Sequence, residues 1–555
     1  MKPRPDRVAT QVRFGGLGVP YSFDALTGFL QRTPGPGLDL LAGVAEAGKL
    51  IGQLDTHGVP PVTSTSLATA MAAVLTSHSI PADFGGSRPV RSLPPAFVDD
   101  LCHRALTVDD EDVPRDPDEW ALLRLVIRVH GLQSLLQGDT MHEIARGAIL
   151  AGTVAVPSLG LQESAAGDEM LRLHVGVGAE AYFAAMFGLW ARASQHPFIH
   201  LPTFLRHFRF GTAAEEGVRA ALHRHALTPE EARARLVSPE FRAFRGSSRA
   251  FALFSEHPFL KVGPDYFLSA PHPFVRLAAR SSLFFATKAA ARRPEWERVR
   301  HAIGERFVRY THGLALAAAP GADIWDTHGV AEPQGLPDIV LGGGVAGWVM
   351  LVEVKARTPP PTVLVGSSSE QFRQDFNDMY PKWLAQLIKA AWRLDTSTST
   401  LEVGLVVRRA RRIHLLALAP MVPAGLHLPM FRHLIEREAI LQLPAGAAAW
   451  FAQARASGRF ATWHVDGIEA LEAFIARARG ETLPEMLEQW LVDMASRAYG
   501  PDELPPTFRD YLAHRWSDRD GHSWEVVETA YREQMARVRS IFASALGVDD
   551  ESAST

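Results

Sequence analysis

The sequence predicts an α/β protein, with a mixed central sheet and flanking helices inserted between mainly helical N- and C-terminal regions. Three observations carry this expectation. Two strand-length apolar runs, 339–341 and 348–352, flank the glycine-rich segment Gly342-Gly343-Gly344. Long stretches before and after them repeat apolar residues at three-to-four spacing, the pattern of amphipathic helices. At 555 residues the chain also exceeds what one core supports, so several units are expected.

Taken in order, residues 1–98 read as an irregular Gly-, Pro-, Ser- and Thr-rich region with one helix near 66–77. Residues 99–256 read as mainly helical, with amphipathic stretches at 120–136 and 180–193. Thr228-Pro229-Glu230-Glu231 spells a capped helix start. The acidic run 109–118 lacks the spacing and glycine of a calcium loop and reads as solvated. His196 and His200 are four apart, but Pro197 between them argues against a helical zinc pair. The arginines of 215–249 read as a solvated helix surface or, alternatively, a phosphate-contacting face. Residues 257–293 form a connection, with strands at 257–262 and 266–270 and a helix at 274–291.

The core is expected over 294–419. A helix at 296–319 carries Ile303, Phe307, Tyr310 and Leu314 on one face. Asp323 and Asp326 follow in a connecting segment, then the two central strands about a turn at Gly342–Gly344. Prolines at 359–361 end the second strand, and the polar loop 366–369 follows. A helix holds 382–389, a strand spans 403–407, the basic cluster 408–412 makes a turn, and 413–418 is the returning strand. Residues 420–555 read as a helical C-terminal domain, with helices at 469–478, after a Thr482 capping box, and at 524–545.

Composition bounds the chemistry. Hydrophobic content of 47% and charged content of 21% are those of a globular protein. The net charge of −4 excludes a generally basic nucleic-acid coat, so any nucleic-acid contact must be a local patch. The single cysteine, Cys102, excludes an internal disulfide or a multi-cysteine zinc site and matches a reducing cytoplasm, the expected location. Residues 1–11 lack the apolar core of a signal peptide, and no apolar run reaches the ~20 residues of a membrane helix, so no membrane partner is expected. Heavy use of Arg, Ala, Gly and Pro points to a GC-rich bacterial genome.

The most chemical stretch lies in the central strands. Asp338 opens the first, and Glu353 and Lys355 close the second. Glu353 and Lys355 are two apart, hence on one face of a strand. A hairpin brings Asp338 toward that face. Two carboxylates and an ammonium on one sheet edge suit a divalent metal and attack on a phosphodiester. Only seven of the 57 Lys and Arg residues are lysines, so a lysine on an apolar strand marks a need for a compact ammonium. Of the five Pro-Asp dipeptides, one opens a strand-like run, and the one (Asp/Glu)-x-Lys triplet follows it.

Pro337-Asp338 and Glu353-Val354-Lys355 resemble the signature of the PD-(D/E)xK nuclease superfamily, which has the restriction-endonuclease-like fold. The resemblance implies that Asp338, Glu353 and Lys355 are catalytic. It implies that Mg2+ (or Mn2+) is held by Asp338, Glu353 and the Val354 carbonyl. Glu305, on the preceding helix, matches a supporting glutamate of the superfamily; read by itself, it equally suits an ion pair with Arg309 one turn on. Gln386 matches a supporting glutamine on the following helix, with Gln371 as a second match. Lys382, Lys389, Arg408, Arg409, Arg411 and Arg412 suit contacts to a nucleic-acid backbone or, equally, a solubilising surface.

The expected activity is metal-dependent hydrolysis of phosphodiester bonds, with DNA as the expected substrate. The layout fits a bacterial restriction-type or phage-defence effector. One such site cuts one strand, so duplex cleavage would call for a homodimer, a partner protein or two encounters. There is no P-loop sequence. Two alternatives stay open: a non-catalytic nucleic-acid- or protein-binding scaffold that retains the nuclease fold, and an interaction protein whose helical flanks matter most.

Overall fold

The computed structural model describes residues 22–33, 37–47, 64–80, 118–127, 140–268 and 293–546. It is interrupted at 197, 209–211, 243, 245–246, 320, 328–334, 344–346, 357–358, 360–362, 364–368, 397–401, 424, 497–506 and 517–524, and it describes isolated positions within 94–108 and 275–286. The expected acidic run 109–117, most of the expected helix 274–291, the end of the glycine turn at Gly344 and most of the polar loop 366–369 lie outside the described residues.

The protein is mixed α/β and mainly helical, with two small mixed sheets. The N-terminal half holds helix α1 (Thr140–Ala151), strand β1 (Phe198–His200), helix α2 (Thr212–His225) and strands β2 (Ala226–Leu227), β3 (Phe259–Val262) and β4 (Asp265–Leu268). The four strands form one sheet in the order β1-β4-β3-β2. The β3–β4 hairpin is the one its sequence predicts, with Gly263 at φ 61° in the turn. At three and two residues, β1 and β2 are too short to leave a periodic signal. The Thr228–Glu231 capping box forms as expected.

A buried polar cluster joins α2 to this sheet. His225 presents Nδ1 to the Glu256 carbonyl at 2.7 Å and Nε2 to the Tyr182 hydroxyl at 2.7 Å. The carbonyl can only accept, so Nδ1 carries a proton. Arg224 pairs with Glu256, and Arg235 lies 2.7 Å from His257. Burial pushes His225 down to about 3 and His174 and His257 down to about 4.

The second half builds the larger sheet. Helix α3 (Glu297–Ala318) precedes strands β5 (Asp323–Asp326), β6 (Ile339–Gly343) and β7 (Trp348–Val354). Helices α4 (Ser369–Asn377), α5 (Tyr380–Thr396) and α6 (Glu402–Arg409) then carry the chain back to β8 (Arg412–Ala419). Helices α7 (Pro429–Ile440) and α8 (Ala445–Ala456) lead to β9 (Phe460–Gly467). Helices α9 (Ile468–Arg477), α10 (Leu483–Ser496), α11 (Phe508–Arg515) and α12 (Glu525–Leu546) complete the described chain. The order is β5-β6-β7-β8-β9; β5, β6 and β7 are antiparallel neighbours, and β8 and β9 run parallel to β7.

Strand alternation gives this sheet two dry faces. Ile339, Leu341, Met350, Val352 and Val354 face the core that holds α3, α9 and α11. Val340, Val349, Leu351, Leu415 and Ala417 face the core that holds α5, α6, α7 and α8. The central strands are continuous apolar runs because both faces are covered.

Buried arginines hold the first face to the N-terminal half. Arg146 on α1 donates to both Glu472 oxygens on α9, at 3.0 and 2.5 Å, and to Glu469 at 3.1 Å. Tyr310 on α3 donates to Glu472 at 2.8 Å. Burial alone would lower the Arg146 pKa, but the two glutamates overcome it and hold the guanidinium well above its ordinary value. Arg306 on α3 donates to the carbonyls of Ile149, Gln162 and Val154.

Five expectations are corrected. The segment 403–407 is helical, not a strand: Val403 and Val407, one turn apart, bury together on α6. The packing of that stripe overrides the β preference of valine. Asp323 and Asp326 lie on an edge strand and not in a loop. β6 continues through Gly342 and Gly343, so the turn starts later than expected. β9 adds a fifth strand, and the sheet therefore extends past residue 419 into what read as a helical C-terminal domain. The Thr482 hydroxyl is buried without a hydrogen-bond partner and does not complete a capping box.

Glu472→Ala leaves the Arg146 guanidinium buried without its main counter-charge, and chemical denaturation should show a loss of ~3–5 kcal/mol. Replacing both Arg146 and Glu472 by methionine should cost less than either single change. The histidines set a pH slope. Between pH 6.5 and about 4 the unfolded chain takes up protons that folded His174, His225 and His257 refuse, so stability falls as pH falls. Thermal melts should show a decreasing Tm across that window, flattened in His257→Asn; an unchanged slope would contradict the assignment.

Candidate active site

The site sits where β6 begins and β7 ends. Pro337 cannot donate to a ladder, so β6 starts after Asp338. Thr327 fixes this start: its N–H donates to the Asp338 carbonyl at 3.1 Å and its hydroxyl to the Pro337 carbonyl. On β7, the Lys355 N–H donates to the Leu418 carbonyl at 2.8 Å and so keeps the strand end aligned with β8.

The register brings the three residues together. Ile339 pairs with Val352 in the antiparallel β6–β7 ladder. One further step puts Asp338 opposite Glu353, and residues directly opposite have Cβ atoms ~4.5–5.5 Å apart. Asp338 Oδ2 accepts the Val354 N–H at 2.7 Å, closing the ladder with a side chain. Lys355 Nζ donates to Glu353 Oε1. Alternation puts Asp338, Glu353 and Lys355 on the face shared with Val340, Val349 and Leu351, the face covered by α5. The Glu353 and Lys355 side chains are 14% and 21% exposed, enough for solvent to reach a pair that the sheet holds in place.

Two carboxylates and one ammonium leave the trio with one net negative charge. Among the described residues no group of three or more His, Cys, Asp and Glu is gathered to cage a metal. Mg2+ does not need such a cage. It keeps several waters and binds through one or two carboxylates plus substrate phosphates. The donor set of Asp338, Glu353 and the Val354 main chain therefore fits a hard, oxygen-seeking cation.

The expected supporting residues lie elsewhere. Glu305 is exposed on α3, whose buried residues Ile303, Phe307 and Tyr310 pack on the opposite sheet face. Face parity thus separates it from the trio. Gln386 is exposed because α5 turns Trp383, Leu384, Leu387 and Ile388 inward and leaves 382, 386 and 389 on its outer stripe. Gln371 is exposed as well and donates to Asp375 at 3.0 Å. Asp326 pairs with Ile339 and so lies on the other face from Asp338.

The basic candidates divide. Lys382 is exposed and Lys389 half-buried on the outer stripe of α5. Arg408, Arg409, Arg411 and Arg412 lie at the opposite end of β7. Arg412 pairs with Trp348, five residues before Glu353, hence roughly 17 Å from it along the strand at ~3.3 Å per residue. Structural roles occupy part of this cluster. Arg408 donates to the Leu394 carbonyl at 3.2 Å, Arg412 pairs with Glu488 at 2.7 Å, and the N–H groups of Arg411 and Arg412 both bind the Gly347 carbonyl.

Sequence reading missed a cavity of about 170 Å3 at the C-terminal ends of β8 and β9. Asp466, His427, Trp490 and Arg509 are among its walls. The usable signal was Thr462-Trp463-His464-Val465-Asp466-Gly467, a β-rich run that ends in a turn dipeptide. It also missed the ion pair of Arg459 and Asp395, bidentate at 2.7 Å, which joins β9 to α5.

Compared with protein-family models, curated proteins and solved structures, the chain matches none of them, so the site is interpreted from its own geometry.

Proposed function

We propose that the protein is a metal-dependent nuclease that hydrolyses phosphodiester bonds, with DNA as substrate. The observation that carries this reading is the cross-strand register of Asp338 with Glu353, with Lys355 donating to Glu353 at the end of β7. The succession of helix α3, strands β5 to β7, helices α4 to α6 and strand β8 supports it, because that is the element order expected of a restriction-endonuclease-like core, with β5 as an additional strand.

Asp338, Glu353 and the Val354 carbonyl would hold Mg2+ or Mn2+, which when bound supplies a water of lowered pKa and charge compensation at the phosphate. The chain does the rest. The Val354 N–H holds Asp338 in one orientation. The Lys355 ammonium fixes Glu353 and also lies where it can orient the attacking water or offset charge on a phosphate oxygen. The new bond joins the water oxygen to phosphorus, the bond to the leaving oxygen breaks, and that oxygen takes up a proton. Exposed Lys382 on α5 lies on the same side of the sheet and suits a non-specific backbone contact.

Glu353→Ala and Lys355→Ala should each reduce Mg2+-dependent DNA cleavage by at least ~10²-fold while the far-UV spectrum and Tm stay near wild type. Asp338→Asn, which keeps an acceptor for the Val354 N–H, should behave likewise. Cleavage at wild-type rate by the Glu353 or Lys355 variant would remove the assignment. Mg2+-independent DNA binding with no cleavage by wild type would point to a non-catalytic scaffold.

A further inference from the structure

The cavity beside β8 and β9 is absorbed neither by the trio nor by the helical flanks. It lies at the same end of the sheet as the trio, but Asp466 shares the face of Val354 and Leu418, opposite the one that carries Asp338, Glu353 and Lys355. Val354 pairs with Leu418, and Leu418 pairs with Asp466. Two strand spacings of ~4.8 Å therefore separate Asp466 from the end of β7, about 10 Å in all. Along a nucleic-acid strand that is about three steps of ~3.4 Å.

Its walls are those of a recognition pocket. Trp490 is 2% exposed and forms the centre of an aromatic cluster in which His464 stacks on it and His427 and Phe508 are tilted. The Phe508 ring lies 5.3 Å away, the His427 ring 5.2 Å and the His464 ring 5.7 Å. Leu426 and Met421 add apolar surface. Three carboxyl residues line it, Asp466, Glu469 and Asp510; Glu469 is engaged by Arg146 and Arg509, and Asp466 Oδ1 accepts the N–H of Gly467 at 2.9 Å. Desolvation pushes it up to about 7, with Glu469 and Asp510 adding to the shift, so near neutrality it is often protonated. Such a group presents a donor and an acceptor side by side. At the rim Arg509, 38% exposed, donates to Glu469 at 3.1 Å and carries further N–H groups suited to phosphate. The volume of about 170 Å3 compares with the ~150 Å3 apolar cavity that holds one benzene ring.

We propose that this cavity binds a single nucleobase with an exocyclic amine next to a ring nitrogen, adenine or cytosine, stacked against the Trp490–His427 wall and hydrogen-bonded edge-on by Asp466. Resting on the nuclease reading, the base belongs to a substrate strand that passes over the ends of β7 and β8 from the trio's face to the cavity, a few nucleotides from the cleaved phosphate, and the pocket makes cleavage base-dependent. The same chemistry accepts the base of a free mononucleotide, and binding experiments separate these two sources.

The test measures binding by the full chain in EDTA, so that it is independent of cleavage. Fluorescence anisotropy with single-stranded oligonucleotides of dA, dC, dG or dT is paired with calorimetry using AMP, CMP, GMP and TMP. Wild type should prefer dA or dC over dG and dT by about tenfold, the range of one good bidentate base contact. Asp466→Asn keeps a donor and an acceptor and should retain the preference; Asp466→Leu should lose it. His427→Ala, at the rim, should weaken binding of the preferred oligonucleotide by about fivefold or more through lost stacking. Selective binding of oligonucleotides alone assigns the base to the substrate strand, and equal selectivity for mononucleotides assigns it to a free nucleotide. No base preference in either arm, or a preference unchanged in Asp466→Leu and His427→Ala, overturns the pocket. Base-selective binding without cleavage by wild type would instead retain the pocket and remove the nuclease reading.

Discussion

The buried ion pair between Arg146 and Glu472 is the constraint on which the end of the large sheet that carries the candidate site depends. Its partners are separated by 326 positions in sequence, yet the guanidinium and carboxylate meet in two hydrogen bonds, with Tyr310 on a third. Removing either charge would leave the other buried, so the three helices that carry them must dock together. Helix α9, which supplies Glu472, starts directly after β9. The pair therefore also sets where β9 ends, and with it the position of Asp466 and the sheet edge next to the trio. Glu469, one turn earlier on α9, accepts from both Arg146 and Arg509 and links the same network to the cavity rim.

Within that frame register brings Asp338, Glu353 and Lys355 together. A one-residue slip of β6 against β7 would move Asp338 to the opposite face from Glu353. Ile339 and Leu341 on one face and Val340 on the other are all fully buried, so a slip would exchange side chains of different shape between two close-packed cores. The Asp338–Val354 hydrogen bond adds a specific lock at the strand end. The carboxylates thus owe their geometry to apolar neighbours buried in the two cores.

What the sequence disclosed follows from which signals are local. The β6–β7 pair, the capping box at Thr228 and helices α3, α5 and α9 are written in periodicity and turn chemistry, and they were legible. The shared face of Asp338, Glu353 and Lys355 was legible because strand alternation is a simple rule. Glu305 and Gln386 were placed by their position in a helix alone. Whether a helical residue faces a site depends on which stripe the tertiary packing buries, and α3 and α5 bury others. Val403 and Val407 show the same lesson, since β-branched residues at one-turn spacing gave a helix. β9 was missed because Thr462 and His464 break its apolar character, and Asp466 was missed with it. The Arg146–Glu472 pair joins segments too distant for any local pattern to reveal.

The central claim is that Asp338 and Glu353 form one divalent-cation site across two strands. Anomalous diffraction at the manganese edge from crystals of the full chain grown with Mn2+ tests it most directly. The expected result is a peak within coordinating distance of both carboxylates, lost in Glu353→Ala. A peak elsewhere with none between Asp338 and Glu353, or carboxylates too far apart to share an ion, would contradict it.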